Sequence, residues 1–140
     1  MKNLTLAESY LEKAKVRLKV LDLLVSEGAF SDTVREAQEC VELALKGILR
    51  FIGVEPPKQH DVGPLLVEYR DKLPPEVAKE AEQLASISKW LRKEREFAFY
   101  GDVDFIPTAE YNRDDANRAL RDARTVVQAA VKTIRARDKG

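Results

Sequence analysis

Residues 31–53 read SDTVREAQECVELALKGILRFIG. Val34, Ala37, Val41, Ala44, Ile48 and Phe51 recur at alternating steps of three and four, the spacing that lines side chains along one face of an α-helix. Cys40, Leu45, Leu49 and Ile52 widen that face. With so wide an apolar face, this segment is expected to be the most buried helix of the chain. Ser31 or Asp32 is placed to cap its first turn, and Gly53 ends it.

The segments on either side repeat the pattern. Ala7, Leu11, Ala14, Leu18, Leu21 and Val25 form the stripe of a preceding helix that Gly28 stops. After Gly53 comes the linker GVEPPKQHD, whose two adjacent prolines deny the helix a donor and bias the preceding backbone away from the α region. Leu65, Leu66, Tyr69 and Leu73 suggest a short helix after Asp61, closed by Pro74 and Pro75. A third long helix is expected from about Glu76 toward Ala98, with Val77, Ala81, Leu84, Ser88 and Leu91 on its stripe and Arg95 and Ala98 as the next steps. The loop YGDVDFIP follows, and Thr108 is placed to cap a last helix with Ala116, Leu120, Ala123, Val127, Ala130 and Ile134 inward. No apolar and polar alternation is long enough for a half-buried strand. The expected fold is all-α: an antiparallel four-helix up-and-down bundle with an additional short helix, in one domain over residues 1–140 with its core at about 4–136.

Composition narrows the chemistry. The 140 residues are 44% hydrophobic and 34% charged, which supports a packed core and excludes a disordered body. Lys and Arg number 24 against 24 Asp and Glu, so no global field draws the chain onto nucleic acid or an anionic membrane, and any such binding must be local. A single cysteine, Cys40, cannot make an internal disulfide, and no apolar run approaches a signal peptide or a membrane span. A cytoplasmic protein that does not enter membranes is expected. One histidine, His60, and one cysteine give no metal site, and no Glu-x-x-His pair, phosphate-binding loop or dinucleotide fingerprint is present. Neither a metal nor a cofactor is called for.

The run Arg35 to Leu49, followed by Gly53, Pro57-Lys58-Gln59-His60-Asp61 and Leu65-Leu66, and later by Arg95 to Tyr100 with Gly101-Asp102, resembles the HEPN domain family over most of the chain. The resemblance implies a bundle of four or five helices, commonly a homodimer, often working beside a minimal nucleotidyltransferase. Several members of that family are metal-independent ribonucleases that act through an arginine followed, after four to six residues, by a histidine. Here four residues separate Arg95 from Tyr100, and no histidine follows His60. A phenol with a reference pKa of about 10 is a poor proton acceptor at neutral pH, whereas an imidazole near ~6.5 both takes and returns a proton. Ribonuclease activity is therefore doubtful on this sequence, and phosphate binding is easier to support than cleavage.

Candidate ligand-binding residues are Arg95, Tyr100, Asp102 and His60. Arg95 can grip a phosphate with its planar fork, and Tyr100 can stack on a base. Some HEPN members are controlled by transfer of AMP onto a tyrosine near this motif, so the resemblance makes Tyr100 a candidate AMP acceptor. Each residue also has a structural reading. Arg95 could pair with Glu94, Glu96 or Asp102, Tyr100 could pack at the bundle rim, and His60 could fix the linker before Asp61. Cys40 reads as a small buried hydrophobe, Trp90 as a bundle or interface aromatic, and Arg92 to Glu96 as a solvated face with one member turned inward. Trp90, Leu91, Phe97, Phe99 and Phe105 gather around the end of the third long helix, which suggests a dimer surface. The leading expectation is a dimeric module that binds nucleotide or RNA phosphate and acts with a minimal nucleotidyltransferase in a toxin–antitoxin-like pair. Its alternatives are an active endoribonuclease toxin and a helical scaffold without a ligand.

Overall fold

The computed structural model describes residues 5–58, 61–99, 101 and 105–135. Seven helices run in order: α1 (Leu6–Ser26), α2 (Phe30–Phe51), α3 (Gly63–Glu68), α4 (Pro75–Ala78), α5 (Ala81–Phe99), α6 (Pro107–Glu110) and α7 (Arg113–Arg135), with a 3-10 turn at Arg70–Lys72. Among the described residues there is no strand. The long helices α1, α2, α5 and α7 make the antiparallel bundle that their stripes predict, and α3 is the additional short helix.

α2 lies at the centre. It packs on α1, α5 and α7, while α1 also touches α7 and α3 lies along α5. This follows from its wide apolar face: Val34, Ala37, Cys40, Val41, Ala44, Leu45, Ile48 and Leu49 are all buried. The predicted inward residues of α7, from Ala116 to Ile134, are likewise buried. On α1 the stripe is buried at Ala7, Leu11, Ala14 and Leu21, with Leu18 and Val25 packed against the core.

The helix starts differ from expectation at three places. α2 begins at Phe30 and has no side-chain cap; Ser31 and Thr33 are instead buried in its first turn, where Thr33 Oγ1 donates to the Ala29 carbonyl at 2.8 Å. The third long helix is split. Glu80 N–H donates to Val77 O at 2.9 Å, a reach of three residues rather than four, and this tight turn separates α4 from α5. Thr108 caps nothing, because Pro107–Glu110 forms its own short turn. α7 starts after Asn112, whose Oδ1 accepts from Asp115 N at 3.0 Å while its own N–H donates to Asp115 Oδ2 at 2.9 Å. A similar reciprocal box starts α1, between Thr5 and Glu8.

Asp61 clasps the linker to the bundle. Its Oδ1 accepts from Gly63 N at 3.0 Å and from Ser88 Oγ of α5 at 2.6 Å. Gly63 sits so close to α5 that an added Cβ would lie 2.9 Å from Ala85 Cα, which leaves room only for glycine.

Candidate functional site

Arg95 lies near the end of α5, where the buried stripe gives out. Leu91 and Ala98 are in the core, but Arg95 keeps 45% of its side chain exposed. It is therefore not the inward-turned charge that its stripe position suggests. Its Nη2 is 3.0 Å from Glu39 Oε1 on α2, so among the described side chains its partner is Glu39 and not Glu94. One turn earlier, Arg92 Nη1 donates to Glu42 Oε1 at 3.1 Å. Moving three residues forward on α5 moves three back on α2, the register of two antiparallel helices, and two rungs of opposite charge span the seam.

Glu94 is engaged elsewhere. Tyr111 Oη donates to its Oε2 at 2.8 Å, and burial, aided by the Glu94 hydrogen bond and charge, pushes the Tyr111 hydroxyl well above its usual pKa. The Arg92 to Glu96 run is thus not a plain solvated face, since Arg92, Glu94 and Arg95 are each tied to a residue from another part of the fold. Beside Glu39 stands Gln38, a polar side chain only 2% exposed, whose Oε1 has no hydrogen-bond partner.

The aromatic residues around this end are less free than the sequence suggests. Leu91 is wholly buried, and Trp90 is half-buried with the Arg118 guanidinium 3.8 Å from its ring centroid. Phe97 remains 46% exposed; its ring meets Phe105 edge-on at 5.5 Å, and Phe105 meets Tyr111 at 5.8 Å. Gly101 has φ +63°, the left-handed conformation that turns the chain sharply after α5.

Of the four candidate ligand-binding residues, only Arg95 falls within the described part. Tyr100, Asp102 and His60 lie outside the described residues, as do the side chains of Glu96 and Phe99. Glu39, Glu42 and Tyr111 were not singled out. The signal that could have found the two glutamates is charge spacing, because Glu39 and Glu42 repeat at the same interval as Arg92 and Arg95. Among the described residues no group of three or more potential metal ligands occurs, and no helix is long and apolar enough to cross a membrane.

These elements define the class of an all-α bundle built around a central second helix. The family model for the HEPN domain matches residues 7–134, and the chain belongs to that family. It is similar to "Putative toxin MJ1304" of Methanocaldococcus jannaschii, with 23% identity over 133 residues that cover 90% of this chain and 86% of that protein. The crystal structure of ST0689, an archaeal HEPN homologue, has the same fold, with a TM-score of 0.67 at 24% identity, covering 93% of this chain and 96% of that one.

Proposed function

We propose that this HEPN module dimerises, binds nucleotide or RNA phosphate at the end of α5, and acts with a minimal nucleotidyltransferase in a toxin–antitoxin-like pair in the cytoplasm. The whole chain acts as one domain in this reading. Arg95 carries it: the guanidinium is accessible, and the glutamate that holds it is itself 31% exposed, so a phosphate can reach the pair and compete for the arginine. Tyr100, Asp102 and His60 complete the proposed ligand-binding set, with Tyr100 as the proposed AMP acceptor. The relative named as a toxin supports the toxin–antitoxin setting.

Titration with a short single-stranded RNA and with ATP tests the site. Arg95→Ala should weaken binding by about 1–3 kcal/mol, the range of a hydrogen bond to a charged group. Arg95→Lys should restore part of that, because a point charge lacks the fork. Unchanged binding in Arg95→Ala with a lowered melting temperature would make Arg95 a structural ion pair. With the nucleotidyltransferase and ATP, Tyr100→Phe should abolish AMP labelling; labelling that persisted would move the acceptor elsewhere, Tyr111 being the described tyrosine beside the site.

The toxin name also favours a second reading, a metal-independent endoribonuclease. RNA cleavage in a chelator that vanished in both Arg95→Ala and His60→Ala would replace the binding module with that enzyme.

A further inference from the structure

Arg50 stands in the last turn of α2, at the opposite end from Arg95: it lies about 16 Å along the helix from Glu39, at 1.5 Å per residue. Among the described residues it has no hydrogen-bond or ion-pair partner, and its Nε is closed off from solvent and unbonded. A guanidinium stripped of part of its hydration is costly to keep unless negative charge reaches it. The helix end does not account for it. The carbonyls of Ile48, Leu49 and Arg50 already accept from the N–H groups of Ile52, Val54 and Gly53, so no side-chain cap is required. The neighbouring acids make no bond to it: Glu8 bonds to Thr5, Asp61 to Gly63 and Ser88, and Glu55, which lines both clefts, forms no ion pair with it.

Two clefts meet at this side chain. One, of about 660 Å³, lies between the start of α1 and the chain at Gly53 to Glu55. The other, of about 680 Å³, lies between the proline linker and α3, with Pro56, Pro57, Pro64 and Tyr69 among its walls and Lys58 as a second cation.

We propose that Arg50 anchors a binding site for a small organic monocarboxylate whose apolar or aromatic body rests against the prolines and Tyr69. The planar fork of the guanidinium matches a carboxylate. Charge favours a single carboxylate over a phosphate: Glu55 and Asp61 offset Arg50 and Lys58 in the same cleft, so a doubly charged head gains no net attraction to set against its larger desolvation cost. The rigid proline faces supply preformed apolar surface, the usual lining of a small-molecule site. Nothing in this site depends on Arg95 or on the phosphate reading above.

Phenylacetate is the probe, followed by 15N NMR of the Arg50 Nε–H and by the Tyr69 ring signals. Both should shift saturably with phenylacetate. Benzyl alcohol, which keeps the ring without the charge, and phenyl phosphate should bind more weakly. Arg50→Gln should lose at least about tenfold in affinity, the loss of one hydrogen-bonded charge, and Arg50→Lys should fall between that variant and the wild type. Arg95→Ala should bind the probe as the wild type does. An absence of saturable shifts at millimolar phenylacetate would overturn the site, as would equal binding by Arg50→Gln. Should Arg50→Gln fail to fold, equal binding by Arg50→Lys would overturn it instead. Tighter binding of phenyl phosphate would overturn the carboxylate assignment, and loss of binding in Arg95→Ala would place the probe at the other end of the bundle.

Discussion

Arg95 is held by the Glu39 carboxylate, which in the proposed site it must leave to grip a phosphate. A pair this exposed is worth about 0.2–1 kcal/mol, so Glu39→Gln should leave the melting temperature nearly unchanged. It should also tighten RNA binding, up to about fivefold if all of that energy had opposed the ligand. Weaker RNA binding in Glu39→Gln would show instead that Glu39 positions the arginine. Arg95 could be singled out from the sequence because four residues separate it from Tyr100, the spacing of the family's arginine motif with tyrosine where histidine would stand. Its partner could not, because Glu39 becomes a neighbour only when the register between two helices is set, and local reading offered nearer acids. Cys40 was easier to read, since a lone cysteine among apolar residues on a helix stripe needs only burial to explain it. It is fully buried, with Sγ donating to Ala14 O at 3.3 Å. Burial is the main cause that pushes its thiol from 9.0 up to about 12, with Glu36 adding and Arg17 opposing. Above pH 9.0 the unfolded chain releases a proton that the folded chain keeps, so stability falls as pH rises, by at most about 1.4 kcal/mol per pH unit. The raised Tyr111 hydroxyl adds a fall of the same sign at higher pH. Urea unfolding between pH 8 and 11 should show a shallower alkaline decline in Cys40→Ala than in the wild type; parallel declines would exclude the thiol as a cause.

At the scale of elements, periodicity located the long helices and turn chemistry misplaced their starts. The buried faces of α1, α2 and α7 coincide with their stripes because one hydrophobic contact pattern decides both. A cap is decided by a single hydrogen bond, and several polar residues compete for it. Thr108 had the right chemistry near the last helix, but Pro107 started a separate turn that took it out of reach. Asn112 does the capping, so Asn112→Ala should cost about 1 kcal/mol, within the usual range of 0.5–2 for such a cap, while Thr108→Ala should cost almost nothing. Thermal or urea melting of the two variants checks this, and equal losses would mean that α7 begins earlier than Arg113. The split between α4 and α5 was invisible for a related reason: Val77, Ala81 and Leu84 keep helical spacing through the break and are all buried, so the stripe carries no mark of the tight turn at Glu80.

For the molecule as a whole, the all-α bundle was legible because four long segments keep helical spacing and the wide apolar face of α2 marks it as the most buried. What the sequence overstated is the apolar surface near Arg95, where Leu91 and Trp90 turn out to serve the bundle. Among the described residues, Phe97 and Ile106, exposed by 46% and 54%, are the large apolar residues that remain there for the proposed two-fold contact. Sedimentation equilibrium of the proposed dimer should give twice the chain mass at tens of micromolar (order of magnitude for an ordinary interface), with Phe97→Asp shifting it toward monomer. A monomeric wild type would remove the shared groove from the proposal. The central position of α2 has a further consequence in time. α1 is its immediate neighbour along the chain, but α7 arrives only after α3, α4, α5 and α6 have been made. During synthesis the α1–α2 hairpin must therefore wait with two flanks of its broadest apolar face uncovered until α5 is made, and with one until α7 is. A nascent chain halted before Arg113 leaves open to solvent the apolar face of α2 that α7 covers.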